Sequence, residues 1–127
     1  CFAKFLLSGF FEKSPRVRPI ASHGGGTLPF LVGRFDRMWE FSTARRDIQK
    51  PPSSYLRRIY FDSIVYDQRT MEYLLATVGT DRVLFGSDYP FRLGDMKGIL
   101  ARVDALPPAQ RDAVRGLNAI REFRLQA

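Results

Sequence analysis

Apolar positions recur at helical spacing at the start of the chain, where Phe2, Phe5, Leu6, Gly9 and Phe10 share a face and Pro15 closes the segment after a short polar stretch. Val17 to Ser22 reads instead as a short buried strand despite Pro19, and it runs into His23-Gly24-Gly25-Gly26, where three glycines end it. Leu28 to Phe41 places Leu31, Phe35, Met38 and Trp39 near helical spacing and predicts a helix, followed by a polar, basic loop through Pro51-Pro52. Ser53 stands where it can cap a short helical turn over Tyr55 to Arg58, after which the alternation from Ile59 to Tyr66 predicts a second strand ending at Asp67. Thr70 to Val78 is a compact amphipathic helix with Gly79 in the place of a C-terminal glycine cap. Arg82 to Phe85 is a third strand, and helices are predicted over Asp95 to Asp104, Pro108 to Arg115 and Gly116 to Arg124.

Strands separated by helices pair in parallel, so the pattern predicts an α/β chain in a single structural unit, with no internal repeat or low-complexity tract. Its 127 residues suffice for one domain but fall short of the about 250 that a closed (β/α)8 barrel needs. A hydrophobic content of 45% with eleven Phe can build a core and excludes a disordered tail. No apolar run approaches the roughly 18 residues of a membrane span, and Lys4 and Gly9 interrupt the apolar start, which argues against a signal peptide. Cys1 is the only cysteine, so no intrachain disulfide or cysteine-based zinc cluster can form and a reducing, cytoplasmic setting is expected. Opening on Cys1 inside an apparent helix predicts a piece of something longer.

The net charge of +7 can attract either nucleic acid or an anionic substrate. The basic residues come as scattered pairs, Arg16 with Arg18, Arg45-Arg46 and Arg57-Arg58, rather than as one run interleaved with aromatics, and this disfavours nucleic acid.

Chemistry in parallel α/β folds concentrates at the carboxyl ends of strands. His23 ends the first predicted strand and Asp88 follows the third, so both fall on one rim, where an imidazole and a carboxylate can share a metal-bound water. Each has a plainer reading: His23 as a hydrogen-bonded strand-end residue, Asp88 as the cap of a turn or of the next helix. Asp62 and Asp67 flank the middle strand and either contribute to the site or are solvated. Gly24 to Gly26 allow positive φ and close backbone approach, but the loop lacks the Gly-Lys-Ser/Thr ending of a phosphate-binding P-loop.

The run His23-Gly24-Gly25-Gly26-Thr27-Leu28-Pro29-Phe30, then Gly33-Arg34, then Gly86-Ser87-Asp88-Tyr89-Pro90-Phe91, with Gly116-Leu117-Asn118-Ala119 near the end, resembles the amidohydrolase-related metal-dependent decarboxylases of the aminocarboxymuconate-semialdehyde decarboxylase type. The resemblance spans nearly the whole chain. It implies a (β/α)8 barrel of which residues 1–127 form one partial domain, about three βα units plus terminal helices from the C-terminal part, the N-terminal strands lying outside the chain.

In that family a metal, usually zinc, is held by a His-x-His pair, a further histidine and a strand-end aspartate. The last matches Asp88, and with a single histidine this chain cannot supply the others. By resemblance His23 is the general acid/base beside the metal, Arg34 reaches a substrate carboxylate across a homodimer interface, and Phe91 forms an aromatic wall. Arg34 read alone is an exposed helix arginine, and Phe91 read alone is core packing. The implied reaction is non-oxidative decarboxylation of an unsaturated or aromatic carboxylic acid, with the 127-residue piece inactive by itself. The competing expectations are a hydrolase of the same superfamily and a non-catalytic remnant acting as an interaction module.

Overall fold

The computed structural model describes residues 2–41 and 48–126; Cys1 and the Arg45-Arg46 pair lie outside the described residues. The chain opens with two short helices, α1 (Phe2–Leu7) and α2 (Phe10–Lys13), where the sequence predicts one. Gly9 divides them: its φ of 68° is left-handed, a turn that glycine makes without steric cost. Three parallel strands follow in the order β1 (Ile20–Ala21), β2 (Tyr60–Asp62), β3 (Val83–Leu84). Their register pairs Ile20 with Tyr60, Ala21 with Phe61, Phe61 with Val83 and Asp62 with Leu84. Helix α3 (Leu28–Phe41) connects toward β2, and α4 (Gln68–Val78) connects β2 to β3. The chain ends with α5 (Met96–Asp104), α6 (Pro108–Asp112) and α7 (Asn118–Phe123).

The strands are shorter than the hydrophobic pattern predicts because other groups take the ladder donors at their ends. After β2, Ile64 N donates to Asp62 Oδ1 and Val65 N to Ser63 O, so the apolar run through Tyr66 turns instead of pairing. The buried Ser63 hydroxyl accepts from Gly86 N at 3.0 Å and donates to Gly86 O at 3.3 Å, tying the ends of β2 and β3 together.

The helices follow their sequence signals more closely. Asp67 caps α4 by accepting from Thr70 N at 2.9 Å, which starts the helix two residues before the predicted Thr70. Asp95 caps α5 through Gly98 N at 2.8 Å, and Gly79, with φ 92°, closes α4. Ser53 is not a cap: its N–H donates to Asp36 Oδ1, and the 3-10 turn it lies in spans Pro52–Arg58 behind Pro51. No break occurs at Gly116, since a π turn over Ala113–Leu117 joins α6 to α7.

Met71, Leu74, Leu75 and Val78 bury one face of α4 against a core that includes Leu6, Phe11, Ala21, Phe61, Val83, Val103 and Val114. The accessible surface, 8203 Å², exceeds the about 6,900 Å² expected of a closed monomer of this mass, which marks an open arc of structure. Among the described residues no helix is long and apolar enough to cross a membrane.

Candidate active site at the carboxyl ends of the strands

The turn after β1 is built from four successive residues at positive φ: His23 (56°), Gly24 (59°), Gly25 (79°) and Gly26 (60°). The glycines at two of these positions answer to crowding as well as backbone angle. A Cβ on Gly24 would stand 2.8 Å from Val65 Cγ1, and one on Gly25 would stand 2.7 Å from the Phe61 ring. His23 carries a Cβ in the same left-handed region, which costs about 1–2 kcal/mol and calls for outside support. Asp62 at the end of β2 supplies it, accepting from His23 N and Gly24 N at 2.9 Å each as well as from Ile64 N at 3.0 Å. Asp62 is therefore not a solvated end; it is the acceptor around which the turn folds.

Asp88, also left-handed at φ 62°, opens the loop after β3. Its carboxylate Oδ1 lies 3.7 Å from His23 Nε2; the Asp88 side chain is 12% exposed and that of His23 is 68% exposed. The cap reading of Asp88 does not hold for the next helix, whose cap is Asp95. Tyr66 closes the far side of the carboxylate, its hydroxyl 3.2 Å from Asp88 Oδ2 and 2.9 Å from Leu93 O, with one proton to serve either. Desolvation, reinforced by the hydrogen bond and charge of Asp88, raises the Tyr66 phenol above its ordinary range and keeps it a donor. Asp67, engaged in capping α4, does not join the cluster; the Thr70 N–H holds its carboxyl below the usual range.

Beside His23 opens a cleft of about 390 Å³ lined by Pro29, Phe30, Val65, Arg69 and Tyr73 among others. Arg69 and Tyr73 stand four apart on α4 and so share a face, and the Tyr73 hydroxyl donates to Pro29 O at 3.1 Å. Apolar walls with one cation suit a flat organic acid. Neither Arg34 nor Phe91 lines this cleft. Arg34 is exposed on α3 and makes no ion pair among the described residues. Phe91 is 70% exposed, so it is not core packing within the described residues.

Sequence reasoning reached His23 and Asp88 through their strand ends but missed Asp62 as a turn acceptor, Tyr66, Arg69 and Tyr73. The i, i+4 spacing of Arg69 and Tyr73 was a readable signal. The approach of Tyr66 to Asp88, 22 positions apart, was not.

Among the described residues no group of three or more His, Cys, Asp or Glu could hold a metal ion. The largely buried Asp88 carboxylate beside one imidazole fits the share of a single ligand, so the remaining donors for a metal have to come from outside the described residues.

The sequence profile of the amidohydrolase family matches residues 2–125. The 2-amino-3-carboxymuconate-6-semialdehyde decarboxylase of Dictyostelium discoideum is 30% identical over 93 residues, which covers 72% of this chain and 26% of that protein. The crystal structure of a 5-carboxyvanillate decarboxylase from Sphingomonas paucimobilis superposes with a TM-score of 0.86 at 26% identity, covering 98% of this chain and 39% of that one. A dihydroxybenzoic acid decarboxylase from Polaromonas, solved with bound manganese, superposes with a TM-score of 0.82 at 23% identity over 98% of this chain and 39% of its own. The chain thus spans about a quarter to two fifths of the length of these relatives, and its fold is a three-strand arc of their (β/α)8 barrel.

Proposed function

The chain belongs to the amidohydrolase family, and from that premise we propose that it forms the C-terminal part of a metal-dependent, non-oxidative decarboxylase of an unsaturated or aromatic carboxylic acid. The observation that carries the reading is the approach of His23 Nε2 to Asp88 Oδ1, 3.7 Å, at the mouth of an apolar cleft. Asp88 is the chain's ligand for a divalent ion, zinc in our reading, although the Polaromonas relative holds manganese. Such an ion, when bound, supplies Lewis-acid stabilisation of substrate oxygens.

Phe30, Val65 and Tyr73 pack against the flat substrate and exclude water from it. Arg69 offers a guanidinium to an anionic group of the substrate within the same subunit, and Arg34 reaches a substrate carboxylate in the partner subunit of a homodimer. Phe91 walls the loop side. His23 gives its Nε2 proton to the substrate carbon that bears the carboxylate. The bond from that carbon to the carboxylate then breaks, its electron pair restores the unsaturated system, and carbon dioxide leaves. A proton is taken up and no electrons are exchanged, so no redox cofactor is required. Asp62 acts only by positioning, through the His23 and Gly24 N–H groups. We place the protein in the reducing cytoplasm, where the single thiol of this chain, Cys1, needs no partner.

The test is carbon dioxide release by the full-length protein loaded with zinc or manganese and offered hydroxybenzoates and unsaturated dicarboxylates. His23→Ala and Asp88→Ala should each lower turnover at least about a hundredfold while the far-ultraviolet spectrum stays that of wild type. Wild-type turnover in both folded variants refutes the residue assignments. A hydrolysed product without carbon dioxide moves the protein to the hydrolases of the same superfamily.

A further inference from the structure

The opposite end of the sheet, where the strands begin, holds a second cavity of about 520 Å³. Six arginines line it: Arg18 ahead of β1, Arg57 and Arg58 ahead of β2, Arg82 ahead of β3, and Arg121 and Arg124 at the end of α7. Residues that are scattered along the sequence thus converge in space, including the Arg57-Arg58 pair and Arg18.

Among the described residues the carboxylates within reach are fewer than the arginines. Glu122 is the only acidic one among the described residues that line the cavity, and it is held by Arg18 at 2.8 Å and by the Tyr60 hydroxyl at 2.5 Å. Asp81, just behind, takes a two-pronged pair from Arg57 at 2.8 and 2.7 Å and lies 3.3 Å from Arg82 Nε. Arg58 is fixed by main-chain oxygens, those of Phe11 and Pro15, and Arg121 by Asp81 O and Asn118 Oδ1 at 3.1 Å each, so neither meets a countercharge. Arg124 has no side-chain partner among the described residues. Among the described residues six guanidiniums face two carboxylates, an excess of four positive charges that arginine cannot shed by deprotonation. Such a concentration of guanidiniums attracts an anion.

We propose that this cavity binds a small, multiply charged phosphate ligand, a polyphosphate group or the phosphate tail of a nucleotide, at a site separate from the catalytic rim. Three features select that chemistry. The guanidinium fork matches phosphate oxygens in pairs. The volume exceeds what one carboxylate or one orthophosphate fills. The excess charge matches a linked di- or triphosphate better than a single monoanion. The separation follows from the strands: Tyr60, at the start of β2, lines this cavity, whereas Asp62, at its end, holds the His23 turn.

Calorimetric titration of the full-length protein with sodium tripolyphosphate at low ionic strength tests the site without relying on turnover. Wild-type protein should bind with a stoichiometry of one per chain. Arg124→Gln and Arg58→Gln should each weaken binding about tenfold, and His23→Ala should leave it unchanged. Arg124 lacks a partner among the described residues, so its loss spares the fold, and the thermal unfolding midpoint of each variant verifies this. Absence of binding by the wild type, or affinity unchanged in both arginine variants, overturns the proposal. Tight binding of a single-stranded oligonucleotide with none of tripolyphosphate also overturns it, in favour of a nucleic-acid surface. Failure of the decarboxylase reading leaves this titration unaffected, so the two stand or fall separately.

Discussion

The turn that carries His23 is held by the carboxylate of Asp62. Three backbone N–H groups converge on its carboxylate, two of them from a turn 38 and 39 positions earlier in the chain. A charged acceptor of this kind is worth about 1.5–3 kcal/mol per bond at most, and Asp62→Ala leaves three donors to find water or remain unpaired. Asp62→Ala should therefore lower unfolding stability by about 2–3 kcal/mol, read as a shift in denaturant midpoint with unchanged slope. Asp62→Asn, which keeps one carbonyl oxygen, should fall between. An unmoved midpoint in Asp62→Ala would show that the turn is held by its own glycines. His23 and Asp88 were legible from the sequence because strand-end chemistry is a topological rule. Asp62 was not, because its partners are set by parallel register, which pairs Ala21 with Phe61 and so places Asp62 beside the residue after β1.

At the scale of elements, α3 matches its sequence signal at both ends and α4 and α5 match within two residues, since capping and apolar periodicity are local. The strands overran because an apolar alternation does not say where main-chain pairing stops, and here Asp62, Ser63 and Gly86 stop it. The C-terminal helices hid a different feature. Asn118, 1% exposed where the π turn meets α7, donates through Nδ2 to Thr80 O at 2.7 Å and Val83 O at 2.8 Å, fastening the last helix to the entrance of β3. This gives the Gly116-Leu117-Asn118-Ala119 run a physical purpose that its sequence does not disclose. Replacing Asn118 by Leu removes both donors; Thr80 O keeps the Val83 N–H, so the cost falls on the buried Val83 carbonyl, at about 1–3 kcal/mol for an acceptor left without a partner. The expected result is a thermal midpoint lowered by several degrees, and a change within error would mean that water replaces the amide.

For the molecule as a whole, the sequence carried the α/β class, the partial barrel and the two rim residues. It did not disclose the convergence of the arginines, because separations such as the 104 positions from Arg18 to Glu122 close only in the folded state. That same closure makes stability depend on acid. The Tyr60 hydroxyl, then Arg18, hold the Glu122 carboxyl below its ordinary value of 4.5. Asp81 is lowered as well: burial opposes its charge, but the Arg57 hydrogen bond and charge outweigh that cost. A group whose folded pKa is depressed binds fewer protons in the native state, so its contribution is fully present above the ordinary value and is lost as pH falls through the folded one. Unfolding midpoints should therefore be level from neutrality to about pH 5 and should decline below about 4.5. Glu122→Gln should start less stable at neutral pH and lose less on acidification, with Asp81 and Asp67 maintaining a residual slope of the same sign. A series of denaturant titrations from pH 7 to 3 reads both curves. Parallel declines would show that Glu122 contributes no more than an ordinary surface carboxylate, and that the ties from α7 to the starts of β1 and β2 rest on the arginines' other bonds.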